Sequence, residues 1–436
     1  MMVLPRKTKS VCPYCLRVLY AEKQVEKDGI YLRRVCPEHG TFSSLIWEDD
    51  VDSYNQWNQL HSKIDPPEEP RKSELGCLYD CGLCTWHERR GSCAILEVTN
   101  RCDLFCPVCI SSSRPTAEAD PNLQDLEEQL DYLLHHGGPF ILRLSGGEPT
   151  QREDLPDIIR LCIRKGFCRI QLSTNGLRLA RDPSYARLLK ESGLSTVFLQ
   201  FDGVTNRVHR ILRGRALQNI KEQAIQYCAQ AGMGIVLVPV IAAGINEDQI
   251  QPIIEFAIHH APSVRGVCFY LMSYTGRNSF PRPQQPMTIP RFLKIMEQQT
   301  EGRVRSSDFV GGLNEHPFCS FRARYFLSAS GDLRAIAPGR KDPHLVSSPP
   351  ENRTDPPEDS AHRPSVRGSS NPALHRFLTR DLTTFTISGM TPQDGYSMDL
   401  DRLRRCPVVV SHHHYGMVPA CAYYLRAMDG TGLYGP

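Results

Sequence analysis

Residues 93–109 read CAILEVTNRCDLFCPVC. The run CAILEV (93–98) is short and apolar, with the length and composition of a buried strand. It opens directly onto Cys102, Cys106 and Cys109 at C-x3-C-x2-C spacing. Five more β-rich runs follow: FILRLS (140–145), RIQLST (169–174), TVFLQF (196–201), GIVLVPV (234–240) and GVCFYLM (266–272). Helical patterns separate them, among them LQDLEEQLDYLLHHG (123–137) and LPDIIRLCIRKG (155–166). Strand and helix in alternation predict an α/β fold with a parallel sheet and helices outside it. Right-handed crossovers curl six such units into a partial, TIM-like (β/α)6 barrel. In such barrels the chemistry sits at the C-terminal ends of the strands, which is where the three cysteines fall.

The chain has 436 residues, a length that as a soft prior holds about three domain-sized units. A net charge of +3 makes no electrostatic case for nucleic acid or an anionic membrane. The opening MMVLPRKTKS lacks the apolar stretch of a signal peptide. The longest apolar run, MGIVLVPVIAAGI (233–245), is too short to span a bilayer. These features predict a cytoplasmic protein, peripheral at the membrane if its substrate is a lipid. The 17 cysteines stand out. In a reducing cytosol, spaced cysteines mean metal sites more often than disulfides. The triplet spacing recurs at Cys77, Cys81 and Cys84, so coincidence is a poor explanation.

Residues 12–40, CPYCLRVLYAEKQVEKDGIYLRRVCPEHG, place Cys12 and Cys15, then Cys36 and His39, around an expected hairpin turning at Asp28-Gly29. This is the spacing of a zinc-ribbon or rubredoxin-like site for one zinc or iron ion. The expected organisation is a metal-binding ribbon over 1–60, then a linker with the second cysteine triplet over 61–92. The barrel occupies 93–300 and a cysteine-containing C-terminal extension 301–436. Within that extension, 343–373 is proline-rich and poor in apolar residues, and reads as a disordered insertion.

A closed metal site wants four ligands, and Cys102, Cys106 and Cys109 supply three. Three thiolates around a 4Fe–4S cube leave one iron open to the amino and carboxylate groups of a small molecule. After the second strand comes SGGEPT, in which Gly146 and Gly147 allow close backbone approach and Glu148 offers a carboxylate to an ammonium. Ser173 and Asn175 follow the third strand, and Gln200 and Asp202 the fourth. Each alone has a bland alternative, a turn or a helix cap. Polar motifs at the ends of four successive strands outweigh it.

With this triplet, SGGEP after the second strand and this strand pattern, the chain resembles the radical S-adenosylmethionine superfamily. The resemblance implies that S-adenosylmethionine takes the fourth place on a 4Fe–4S cluster held by Cys102, Cys106 and Cys109. One-electron reduction would cleave its sulfonium and release a 5′-deoxyadenosyl radical that abstracts hydrogen from the substrate. By the same carry-over, Gly146, Gly147, Glu148 and Pro149 hold the methionine amino end. Ser173, Asn175, Gln200 and Asp202 serve its carboxylate and ribose, and residues 238–240 with Met272 line the adenine. A low-potential donor such as a ferredoxin or flavodoxin would supply the electron.

A narrower resemblance, over roughly 10–340 and 404–425, is to the tetraether-synthase and hydroxymethylpterin-methylase group. The CPxC…CPEHG ribbon, CLYDCGLC, EVTNRCDLFCPVC and the tail HHY…VPACAYY carry it. Members couple or alkylate unactivated carbons and carry auxiliary clusters. Here Cys77, Cys81 and Cys84 are expected to hold an auxiliary 4Fe–4S cluster, with Cys93 as fourth ligand and zinc as the competing metal. Cys319, Cys406 and Cys421 are candidates for a further cluster. His412, His413 and His414 read equally as metal ligands or a polar strand edge. Cys162, Cys168, Cys228 and Cys268 read as small core residues.

Three functions compete. The first is a radical enzyme forming a C–C bond or alkylating an unactivated carbon, such as one in a lipid chain. The second is a radical methylase of a small heterocycle such as a pterin, and the third a non-catalytic iron–sulfur electron carrier or maturation factor. SGGEP argues against the third, because an electron carrier has no need of S-adenosylmethionine. A long apolar cavity would favour a lipid, a compact polar one a pterin.

Overall fold

The chain begins with four strands that alternate apolar and polar residues: β1 (Lys7–Val11), β2 (Val18–Glu26), β3 (Gly29–Cys36) and β4 (Gly40–Trp47). They form an antiparallel meander in that order. Pairing of Glu26 with Gly29 puts the hairpin turn at Lys27-Asp28, one residue earlier than expected. Gly29, at φ +151°, is needed just inside β3, because a Cβ there would lie 2.2 Å from the Trp47 carbonyl oxygen.

The six apolar runs all form strands: β5 (Cys93–Thr99), β6 (Ile141–Gly146), β7 (Ile170–Thr174), β8 (Thr196–Gln200), β9 (Gly234–Val238) and β10 (Val264–Leu271). They pair in parallel, in sequence order. The helix Leu123–His135 shows how the crossovers are set. Asn122 caps it by accepting from the Gln124 and Asp125 amides, while Leu126, Leu130 and Leu133 turn one face into the core. Alternation gives the sheet two different faces. Leu96, Leu142, Leu144, Leu172, Leu199 and Leu237 point outward into a core shared with the helices. Glu97, Arg143, Gln171, Phe198 and Tyr270 stand on the opposite, interior face, only partly buried.

The structure, a computed structural model, describes residues 7–58, 65–116, 119–138, 140–312, 315–336 and 383–434. The expected insertion at 343–373 lies outside the described residues. The sheet does not stop near residue 300. Beyond β10 it continues into β11 (Ser320–Leu327) and β12 (Thr383–Met390), and beyond β5 into β13 (Val408–His412) and β14 (Gly416–Pro419). β12 pairs in parallel with β10 and β13 in parallel with β5, so the extension covers both edges of the six-stranded core. An uncovered parallel edge would leave a row of amides and carbonyls unpaired. Among the described strands the sheet is open, a partial barrel. No helix of the described residues is long and apolar enough to cross a membrane.

The N-terminal meander docks on the extension. Lys23 and Asp399, both under a tenth exposed, form an ion pair at 2.8 Å, and Thr8 donates to the same carboxylate at 2.7 Å. The Arg34 guanidinium reaches the Gly395 and Tyr396 carbonyls at 2.9 and 3.0 Å. Val11 and Leu16 share a core with Leu78, Met398, Leu403 and Tyr423.

At the other end of the meander, Cys12, Cys15, Cys36 and His39 place four ligand atoms within 4.8 Å of one another. The His39 Nδ1 is 3.6 Å from the Cys12 Sγ and 3.5 Å from the Cys36 Sγ, and the Cys15 and Cys36 sulfurs are 4.0 Å apart. Sulfurs bound to one tetrahedral ion at about 2.3 Å stand about 3.8 Å apart, so the cage fits a single zinc or iron ion. A unit this small has little core, so metal binding and folding should be coupled. Selective chelation is expected to open residues 7–58 to limited proteolysis, and an unchanged digestion pattern in the metal-free protein would count against the coupling.

Candidate metal and cofactor centre

The cysteine loop leaves β5 and is gripped by the motif after β6. The Gly147 amide donates to the Thr99 carbonyl at 2.6 Å and the Glu148 amide to that of Arg101 at 2.8 Å. A Cβ on Gly146 would lie 2.1 Å from the Thr99 oxygen, and one on Gly147 2.1 Å from the Arg101 oxygen. Both glycines are therefore required by the approach of the cysteine loop's own backbone, a reason the sequence reading did not supply.

Glu148 differs from its expected role as partner of an ammonium. Its carboxylate is 1% exposed and accepts from the Thr150 amide (3.1 Å) and hydroxyl (2.7 Å), the Thr174 hydroxyl (2.7 Å) and the Asn175 amide (2.6 Å). Burial pushes its pKa up, and these four donors oppose that shift. The group ties the ends of β6 and β7 together and caps the short turn that begins at the buried Pro149. Glu148→Gln turns one acceptor into a donor facing donors, which is expected to cost about 1–3 kcal/mol. The readout is the denaturation midpoint of the cofactor-free protein. An unchanged midpoint with weakened S-adenosylmethionine binding would return the carboxylate to the ammonium.

Asn175, Gln200 and Asp202 are likewise engaged by protein. The Asn175 side chain donates to Asp103 of the cysteine loop at 2.7 Å and accepts from the Leu177 amide at 2.9 Å. Asp202, fully buried, takes two bonds from Arg213 at 2.7 and 2.8 Å and one from the Val240 amide at 3.0 Å. Gln200 donates to Asp202 and accepts from Lys221 at 2.8 Å. Arg213 then donates to the Val108 carbonyl at 2.9 Å, holding the cysteine loop from below. Burial opposes ionisation of Asp202, but the Arg213 charge and hydrogen bonds hold its carboxyl below the usual range. These groups form a cradle for the loop, where ribose or carboxylate contacts were expected. Ser173 stands on the interior face of β7, half-buried, and Met272 packs near Val108, Val208 and Leu212.

Sequence reasoning missed Arg213, Lys221 and Arg277. Arg277 pairs with Cys109 across a two-residue bridge and donates to the Cys106 carbonyl at 2.9 Å and that of Ser113 at 3.0 Å. Nothing local in the sequence marks these cations, because their partners lie far away in the chain.

Leu104, Leu177 and Leu217 form an apolar collar against which Cys102, Cys106 and Cys109 pack. Burial pushes the Cys102 thiol up to about 12 and raises that of Cys106, which the Arg213 charge opposes. A bound metal reverses such a penalty by deprotonating its thiol ligands outright. Soft donors, an apolar collar and a cation behind them fit an iron–sulfur cluster.

Cys77, Cys81 and Cys84 line a small recess together with His87 and Arg404. Cys81 is pushed up to about 12 by burial and by its two neighbouring thiols. Cys93 is not with them. It stands on the interior face of β5 among the charges of Arg143 and Glu315, because strand alternation turns its side chain into the barrel. Cys319, Cys406 and Cys421 do converge, from three separate segments. Interaction between the neighbouring Cys406 and Cys421 thiols, with burial, raises Cys406 and draws Cys421 down to about 7, and Arg402 donates to the Cys319 sulfur at 3.4 Å. Cys162 and Cys228 are buried core residues, as expected. Cys168 is exposed and Cys268 faces the barrel interior. His412 and His413 stack at the end of β13, and His414 lies tilted against His413.

The barrel interior is polar. Glu97 accepts from the Tyr423 and Tyr424 hydroxyls at 2.9 and 2.8 Å, and Tyr424 is near enough to feel the charge of Cys109. Burial raises the Glu97 pKa, with both tyrosines opposing. Arg143 bonds Gln171 at 2.8 and 3.1 Å and the Tyr270 hydroxyl at 3.2 Å, and stacks 4.2 Å over Phe198. A lone carboxylate at an interior position of an apolar strand was visible in AILEV, and that signal could have found Glu97.

The fold is an open parallel barrel carrying a three-cysteine loop at the end of its first strand. Residues 96–257 match the model of the radical SAM superfamily, and this part of the chain is a radical SAM domain. Members of the superfamily use a 4Fe–4S cluster and S-adenosylmethionine. Residues 4–48 match the HMPTM N-terminal zinc ribbon domain. The chain is 36% identical over 317 residues, 70% of its length, to the 7,8-dihydro-6-hydroxymethylpterin dimethyltransferase of Methanocaldococcus jannaschii, and spans 61% of that enzyme. It is 32% identical over 195 residues to the Fe-coproporphyrin III synthase of Methanosarcina barkeri, covering 42% of this chain and 45% of that one. A crystal structure of Streptococcus suis SuiB bound to precursor peptide SuiA aligns over 67% of this chain and 69% of that one, at 14% identity and TM-score 0.43.

Proposed function

We propose that this protein is a radical S-adenosylmethionine enzyme that transfers a carbon group to a small, hydrogen-bonding heterocycle of the pterin class. The observation that carries the substrate class is the polar interior face, with Glu97, Tyr424, Arg143, Gln171 and Tyr270 around it. A lipid chain packed here would cover Glu97 and Arg143 without bonding the lone pairs and N–H groups that their bonds to Tyr423, Tyr424, Gln171 and Tyr270 leave over. A heterocycle with ring nitrogens and an amide edge can bond them. The similarity to the pterin dimethyltransferase supports the same choice.

When bound and reduced, the cluster and S-adenosylmethionine supply a carbon-centred radical able to take hydrogen from an unactivated carbon. The chain's part is to hold and shield these groups. Cys102, Cys106 and Cys109 ligate the cluster, and the Glu148, Asn175 and Asp202 networks keep the loop in register. The backbone of Gly146–Glu148 and the Ser173 hydroxyl are left for the methionine end of the cofactor, and Met272 for its adenine. The phenols of Tyr423 and Tyr424 fix the Glu97 carboxylate, which orients the substrate's N–H groups. Cys319, Cys406 and Cys421, and separately Cys77, Cys81 and Cys84, hold auxiliary clusters. A low-potential donor of the ferredoxin or flavodoxin kind reduces the protein.

The test is anaerobic reconstitution with iron, sulfide, S-adenosylmethionine and dithionite, with 7,8-dihydro-6-hydroxymethylpterin or a lipid extract added. A methylated pterin by mass spectrometry is expected, and Glu97→Gln should weaken its apparent affinity. A modified aliphatic lipid with an unchanged pterin would sink the heterocycle reading.

A further inference from the structure

The cysteine recess at Cys77, Cys81 and Cys84 lacks the fourth ligand that Cys93 was expected to supply. His87 lines the same recess, three residues beyond Cys84, and is 6% exposed. Its backbone amide donates to the Cys84 carbonyl at 2.9 Å, so the chain turns and carries the imidazole back to the recess. Its Nε2 lies 2.9 Å from the Cys406 carbonyl oxygen. A carbonyl only accepts, so Nε2 carries the proton and Nδ1 keeps a lone pair. Metal-bound histidines typically hold this arrangement, one nitrogen on the metal and the other donating to a backbone carbonyl. The other polar side chains at the recess, Trp86 and Arg404, are donors without a lone pair to give. The spacing becomes C-x3-C-x2-C-x2-H, read from Cys77 to His87.

We propose that His87 Nδ1 is the fourth ligand of the metal centre held by Cys77, Cys81 and Cys84. The inference rests on the reading of that triplet as an auxiliary cluster site. Histidine replaces cysteine on iron in known iron–sulfur centres, where it raises the reduction potential. Through the Nε2 bond to Cys406, the same imidazole links this centre to the group formed by Cys319, Cys406 and Cys421.

The test uses the full chain with Cys102→Ala, Cys106→Ala and Cys109→Ala, which removes the signal of the radical cluster. The protein is labelled with 15N-histidine, reconstituted anaerobically with iron and sulfide, reduced with dithionite and examined by pulsed EPR. The expected result is the nitrogen hyperfine coupling of a directly bound imidazole, lost in His87→Ala and in His87→Cys. His87→Cys should keep the parent's iron content, and His87→Ala should lose iron to a chelator at least about tenfold faster. A parent spectrum without that coupling, or a coupling that survives in His87→Ala, overturns the proposal. Should Cys77→Ala, Cys81→Ala and Cys84→Ala together remove zinc and not iron, the cluster reading fails by itself. Zinc that then falls in His87→Ala and returns in His87→Cys upholds the ligand, and zinc unchanged in His87→Ala overturns it.

Discussion

Replacing Cys106 with alanine is expected to abolish 5′-deoxyadenosine formation. Cys106 is the central thiol of its loop, 9% exposed, packed against Leu104, Leu177 and Leu217 and facing the Arg213 charge. Without it only two thiols remain, an iron loses its protein ligand, and the cluster has no stable seat. Raising S-adenosylmethionine cannot compensate, because what is missing is the group that the cofactor binds. Ligand loss therefore differs in kind from Glu148→Gln, whose effect on the loop should be partly recoverable at high cofactor concentration. The measurement is 5′-deoxyadenosine by chromatography at several cofactor concentrations, with dithionite as reductant. A Cys106→Ala protein that still makes it at the normal rate would show that this chain is no radical enzyme.

Asp202→Asn is expected to produce the largest loss of stability. The Asp202–Arg213 pair is 0% and 8% exposed, with bonds at 2.7 and 2.8 Å. Removing one partner of a buried pair leaves an uncompensated charge, at about 3–5 kcal/mol. Arg213 also carries the Val108 carbonyl, so the loss should reach the cysteine loop and lower iron occupancy at the radical site. The double variant Asp202→Leu with Arg213→Met should recover part of the stability but not the iron, since the bond to Val108 stays broken. Urea midpoints and iron counts measure the two effects. If Asp202→Asn leaves both unchanged, the cradle has been misread. The pH dependence has a definite sign. The folded carboxyl titrates below its unfolded value of about 3.9. Its contribution is therefore complete above that value and is lost as pH falls through the lowered folded value.

The six barrel strands and the three-cysteine loop were legible because both are local. A strand buried beneath helices must be an apolar run, and ligands of one cluster on one loop must be closely spaced. The ribbon was legible for the same reason, since its cysteines and His39 belong to two tight turns of one short meander. Cys319, Cys406 and Cys421 are candidates in the sequence, but their convergence depends on how three distant segments cross the sheet edge.

The sequence by itself determined the alternation of strand and helix, the order of the parallel strands and the position of the thiols at the barrel mouth. Only the tertiary structure decided which face each polar side chain serves. Glu148, Asn175 and Asp202 follow their strands as expected. Yet their side chains are spent on Thr174, Asp103 and Arg213, because a buried carboxylate or amide must find its hydrogen-bond partners within the fold. Cys93 was assigned by proximity in the chain, and a strand's period of two sends it into the barrel, away from the recess. His87 was passed over, because a single histidine says nothing until the carbonyl of Cys406, 319 residues away in the chain, fixes which of its nitrogens holds the proton.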